Sequence, residues 1–323
     1  MNKYIILLLF AVGCGQQAEL DQPISVRVAV LNFDPAVGDS TLHSRFGWAD
    51  PRALADQYID ALSEVSHNRV SIDIVSWKDE SRFPIKTDGF EYSLDEFESC
   101  WEDRSTCHDP DGTDYERLIQ EYDIVSQIDS DQVDEVWIFG APYMGFWESS
   151  MAGPGAFYIN GGVFESVPST KPFAIMGFSY ERGVAEMLHN LCHRTEATME
   201  KVSGGWDTMD LSTDWARFAA NAHQSGGVAA VGSCHYPPNG TEDYDYDNQA
   251  MVASNAEAWL DYPEVSQKTD SVNAETWGGP NYQLNYMKWW FSHLPNADLQ
   301  PEGDMLGNWW NYVYRFQDHV LGL

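Results

Sequence analysis

Basic residues are scarce in this chain: 18 Lys and Arg stand against 50 Asp and Glu, a formal charge of −32. That balance argues against nucleic acid as a partner, because gripping phosphates requires a positive footprint. The acids are scattered rather than gathered in a tail, which fits a solubilising surface in a salty or extracellular medium. No C-x-x-C pair occurs, so a zinc site built from cysteines is not expected. Ser149 and Ser150 lack a G-x-S-x-G setting, and no phosphate-binding or dinucleotide fingerprint occurs. Beyond the first 14 residues no apolar run is long enough to span a bilayer.

The chain is rich in aromatic residues, with 13 Trp and 16 Tyr in a composition that is 43% hydrophobic. It can bury a sizeable core. The start is different in kind. A short basic opening and the apolar run Tyr4–Val12 precede Gly13-Cys14, as in an export signal. The A-V-G-C ending resembles a bacterial lipobox, which implies lipidation at Cys14. The expectation is an exported cell-envelope lipoprotein, at the outer membrane or cell surface, that meets the membrane only through its lipid. Ordinary secretion is the alternative. Residues 15–23 then form a polar tether.

Four further cysteines, Cys100, Cys107, Cys192 and Cys234, suggest two disulfides in an exported protein. Cys100 and Cys107 flank a short polar segment, so a local bridge is the simplest pairing. Cys192 is then left with Cys234.

The run I-S-V-R-V-A-V-L-N from Ile24 alternates and reads as a strand. Asp50-Pro51 opens a helix to Val65, with apolar residues at helical spacing. Arg69–Trp77 reads as a second strand, 78–113 as charged loop, Asp114–Ile128 as a helix and Val133–Phe139 as a buried strand. This order suggests an α/β layer with a largely parallel sheet. The segment Gly140–Gly162, rich in Gly, Pro and aromatics, should line a cleft as a loop or edge hairpin. Ser179–Met199 is the clearest helix, and a soft boundary falls near residue 203. The part from 204 to 323 should be helical and irregular and complete the cleft.

The central motif is E-M-L-H-N-L-C-H-R-T-E, residues 186–196. On a helix Glu186, His189, His193 and Glu196 share one stripe. Histidines at i and i+4 can aim ring nitrogens at one ion. Each can instead be held by the glutamate three residues away, as a metal-free polar stripe. The helix resembles the H-E-x-x-H helix of zincin metallopeptidases, with Asn190 where those enzymes carry the glutamate that activates water. The resemblance implies an α/β (α+β) zincin-like fold, with a mixed sheet and an active-site helix, and a zinc-dependent, peptidase-like hydrolase. The longer run around this helix, together with D-E-V-W-I-F-G-A-P-Y-M-G-F-W-E-S-S-M and H-Y-P-P-N-G-T-E-D-Y-D-Y-D-N, is similar to a group of secreted bacterial and fungal proteins without assigned function.

Asparagine cannot take a proton, so the base would be Glu186, Glu196 or Glu148. A third metal ligand is also needed. A Cys192–Cys234 bridge would bring their Cα atoms within about 4.4–6.8 Å, setting His235 beside His189 and His193. Glu196 is the alternative third ligand, but three ligands from one straight helix converge poorly. Arg182 and Arg194 flank the stripe and could hold a carboxylate behind the site, or pair with Glu181 or Glu196. Asp243, Asp245 and Asp247 alternate as in a calcium loop, although the EF-hand glycine and glutamate are missing. Aromatic loop residues, among them Trp147 and Tyr158, suit a glycan or peptide ligand. The alternative to an extracytoplasmic peptide or glycan hydrolase is a non-catalytic scaffold that binds glycan or protein through an aromatic cleft.

Overall fold

The computed structural model describes residues 23–297 and 305–322. Cys14 and residues 15–22 of the expected tether lie outside the described residues. The molecule is mixed α and β. A six-stranded sheet is built from β1 (Ile24–Phe33), β2 (Val70–Glu80), β3 (Glu135–Gly140), β4 (Ser149–Ala152), β5 (Val163–Phe164) and β6 (Phe173–Ser179), in the spatial order β2-β1-β3-β6-β4-β5. The first four of these neighbours are parallel, whereas β4 runs antiparallel to β6 and parallel to β5. The principal helices are α1 (Pro51–Val65), α2 (Leu94–Glu102), α3 (Tyr115–Glu121), α4 (Ile124–Asp129), α5 (Val184–Ser203), α6 (Tyr282–Ser292) and α7 (Trp310–Tyr314).

The parallel half follows from the sequence. Asp50 caps α1 by accepting from the Arg52 and Ala53 amides, with Pro51 in the first turn. β3 and most of β6 are buried, so they read as continuous apolar runs. Three elements depart from the expectations. Residues 78–113 are not all loop: Ser93 and Glu96 form a reciprocal capping box that starts α2. The expected helix from Asp114 to Ile128 is two helices, broken where Asp123 takes a left-handed φ of 50°. The motif helix starts at Val184, because Ser179 ends β6 and the turn to Gly183 precedes the helix; Gly204, with φ 75°, closes it.

One core runs from β1 to α7 and continues across residue 203. A buried ion pair ties it to the motif helix. Arg194, 1% exposed, donates to Glu135 of β3 at 2.6 Å and to the Val313 carbonyl of α7 at 2.9 Å, beneath the Tyr314 ring. This corrects the expected role of Arg194. It lies on the sheet side of α5, and its partner is Glu135 rather than Glu181 or Glu196.

A buried lysine holds the cleft wall. Lys86 donates to the Asp111 carboxylate at 2.8 Å and to the Tyr143 carbonyl at 2.7 Å. It thereby joins the excursion closed by the Cys100–Cys107 disulfide to the Gly-rich segment after β3. Among the described residues no helix is long and apolar enough to cross a membrane.

Arg194→Ala leaves the Glu135 carboxylate buried without its cation. The expected loss is about 3–5 kcal/mol of unfolding free energy, read by urea denaturation. A loss below about 1 kcal/mol, the range of surface pairs, would contradict the assignment.

Candidate metal centre

The two histidines of α5 and a third from a distant loop converge. The Cys192–Cys234 disulfide sets two Cα atoms 5.8 Å apart across 42 residues. Its sulfurs immediately neighbour His193 and His235 in sequence. The His235 Nε2 lies 3.0 Å from His193 Nε2 and 3.3 Å from His189 Nε2. All three ligand atoms are within 4.8 Å of one another, and the group has the spacing to hold a metal ion. Nitrogens bound at about 2.0–2.1 Å to one tetrahedral ion stand roughly 3.3 Å apart, close to these separations.

Electrostatics favour the same occupant. Glu196 lies 3.1 Å from His193 Nδ1. A carboxylate accepts, so this nitrogen carries the proton and the Nε2 lone pair points inward. Asp243 lies 3.4 Å from His235 Nδ1, and its charge favours a proton on that nitrogen, which leaves the Nε2 lone pair inward there too. Two such lone pairs at 3.0 Å repel unless a cation lies between them. A proton can bridge two nitrogens; a metal ion can satisfy three. Burial pushes the His189 imidazole down to about 3, helped by the neighbouring histidines and Arg182, so it is neutral and free to ligate at pH 7. For His193, burial acts downward, but the hydrogen bond and charge of Glu196, with Glu148, outweigh it and the pKa is raised.

The loop that carries His235 is held at many points. Glu196 accepts the Cys234 amide at 2.8 Å, so one carboxylate orients a ring on α5 and anchors the opposing loop. The hydroxyl of Tyr246 donates to the Cys234 carbonyl, Tyr286 to the Ser233 carbonyl and the indole of Trp290 to the Gly232 carbonyl. Glu196 is therefore a supporting group, not a third ligand from the same helix.

Glu186 does not pair with His189; it receives Arg182 at 3.0 Å, and Arg182 also meets Glu181 at 3.5 Å. Glu148 lies 4.0 Å from His193 Nε2 and faces the trio from the Gly-rich segment. Asn190 turns away from the histidines and donates to the Gly177 carbonyl of β6 at 2.8 Å. Gly177 in turn donates its amide to the Glu148 carbonyl at 3.1 Å, and a Cβ there would collide with the Trp147 backbone. Asp243, Asp245 and Asp247 are not gathered into a calcium site. Asp243 faces His235, and Asp245 accepts from Thr241 and Asn248 within the turn. A cavity of about 260 Å³ is lined by Tyr143, Phe146, Glu148, Arg182, Glu186 and Asn190 among others; it meets the trio through Glu148, and none of the three histidines lines it.

Sequence reasoning missed Tyr244. Its backbone has a left-handed φ of 63°, its amide donates to the His235 carbonyl, and its ring centroid lies 4.4 Å from that of His235 and 5.7 Å from that of His189. Nothing in an alternating acidic turn signals a ring laid over two histidines. No family model matches the chain, and no curated protein matches it either.

Removing a carboxylate that orients a ligand commonly costs about 10–100-fold in metal affinity. Glu196→Gln is expected to weaken zinc binding by that factor in a competition titration against a chelating dye. The Cys192→Ala/Cys234→Ala double variant should weaken it more than Cys100→Ala/Cys107→Ala. Equal affinities for all four proteins would contradict the supporting role of both ties.

Proposed function

We propose that this protein is a zinc-dependent hydrolase, peptidase-like, with His189, His193 and His235 as ligands and Glu148 as the general base. The observation that carries the reading is the convergence of three imidazole nitrogens beside the Glu148 carboxylate, which also lines a cavity. Three histidine ligands leave one position open in a four-coordinate site, as in catalytic rather than structural zinc centres. Zinc bound there would lower the pKa of a water and polarise a substrate carbonyl.

The protein's own residues have separable tasks in this account. Glu148 is the base, since Glu186 is engaged by Arg182 and Glu196 is spent on His193 and the Cys234 amide. Glu148 comes from the cleft wall, not from the helix, so the zincin-like helix keeps its two histidines while its missing glutamate is replaced from the opposite side. Tyr143, Phe146 and Arg182 line the cavity in which a substrate chain would lie. The lipobox-like start fits action outside the cytoplasm, at the cell envelope, on peptide or glycan.

A second reading has its own observation. Trp147 and Tyr158 are 52% and 62% exposed beside Glu148 and Asn160. Such rings can stack on sugars, so a metal-bearing, non-catalytic glycan-binding scaffold is the alternative.

Oxidised protein lacking residues 1–14, purified without chelator, is expected to carry about one zinc per chain and to cleave members of a peptide library. Glu148→Gln should keep its zinc and lose roughly 10²–10⁴-fold in kcat. Undiminished activity in that variant would remove Glu148 from the chemistry. Zinc-loaded wild type that cleaves nothing, yet binds oligosaccharide through Trp147, would favour the scaffold.

A further inference from the structure

Glu148 is not free to choose its own position. The chain leaves β4, loops back and then runs parallel to it, so residues 159–162 lie beside 147–151: Met151 donates its amide to the Gly162 carbonyl at 3.2 Å, and the Ser149 hydroxyl donates to the Ile159 carbonyl. A Cβ on Gly161 would meet the Ser149 carbonyl and the Trp147 side chain, so the two segments approach at backbone distance. This brings Asn160 opposite Glu148, twelve positions away in sequence.

The side-chain amide of Asn160 donates to Glu148 Oε2, the same oxygen that lies 4.0 Å from His193 Nε2. The carboxylate can only accept, so the nitrogen end of the amide must face it. The other end is consistent, because the Tyr158 hydroxyl donates to Asn160 Oδ1 at 3.2 Å. A chain of hydrogen bonds thus runs from the exposed Tyr158 through Asn160 to Glu148. Asn160 holds a φ of 95°, in the region that favours glycine. A residue that keeps an unfavourable backbone angle beside a functional carboxylate points to a role for its side chain.

We propose that Asn160 is a positioning residue for Glu148, holding its carboxylate beside the three-histidine centre. The inference rests on the reading of Glu148 as the base, and concerns how that base is aimed. Without the amide, the carboxylate of a half-exposed glutamate can rotate into solvent. Reacting groups displaced by about 1 Å can cost on the order of 100-fold in rate.

Asn160→Gly separates the side chain from the backbone, since glycine adopts this φ freely and the fold is not put at risk. The expected result is a roughly 10- to 100-fold fall in kcat, with KM and zinc content unchanged. Asn160→Asp, which tolerates the same backbone region but cannot donate, should fall as well. Glu148→Gln/Asn160→Gly should be no slower than Glu148→Gln alone, because both changes disable one unit. Wild-type kcat in Asn160→Gly, or losses that multiply in the double variant, would overturn the proposal. If zinc-loaded wild type proves inactive, the hydrolase reading fails by itself. Crystal structures of the zinc-loaded wild type and Asn160→Gly then decide this inference. A Glu148 carboxylate that leaves His193 in the variant supports it, and one that stays in place overturns it.

Discussion

The Cys192–Cys234 disulfide is the constraint on which the candidate site depends. Two histidines on one helix have little reason to meet a third from a loop 42 residues away. The bridge removes that freedom, and Glu196 adds a second tie by receiving the Cys234 amide while it holds His193. Three buried aromatic residues, Tyr246, Tyr286 and Trp290, then pin the carbonyls of the same loop. The histidine nitrogens are therefore brought together by groups that are not themselves ligands, and the strength of any metal site made there is set by them.

That convergence is electrostatically unfavourable in the absence of a cation. His193 and His235 each direct a carboxylate-backed imidazole inward, and His189 is kept neutral by burial. The protein concentrates lone pairs at one point and surrounds them with negative groups, Glu148, Glu196 and Asp243. The acidic chain gathers part of its negative charge around these nitrogens, where it can attract and retain a metal ion. The remaining structure fits this arrangement. Arg194 and Glu135 lock the opposite face of α5 to the sheet, so the histidine face cannot roll.

Local patterns made the parallel sheet, α1 and the histidine stripe legible in the sequence. The approach of His235 was legible only through cysteine pairing, because no local pattern links positions 42 apart. β6 was missed: its buried run F-A-I-M-G-F-S lacks the alternation that marks a half-exposed strand. α2 was hidden in a charged segment although its capping box, Ser93 and Glu96, was there to be read. Arg194 was misassigned because its sequence neighbours suggested Glu181 and Glu196, whereas helix geometry turns it to the sheet. The same holds for Glu186, whose i+4 relation to Arg182 prevailed over its i+3 relation to His189. Glu148 was visible as a carboxylate after a strand, but its partner Asn160 depends on a loop that carries residues 159–162 back beside 147–151 in parallel, a pairing no local pattern marks.

The central claim is that the three imidazole nitrogens share one ion. The most direct test is a crystal structure of the oxidised protein soaked with zinc, with anomalous differences collected at the zinc edge. The account predicts one strong peak about 2.0–2.1 Å from the Nε2 atoms of His189, His193 and His235. No peak among them, or zinc held elsewhere while His193 and His235 remain in direct hydrogen-bond contact, would contradict it.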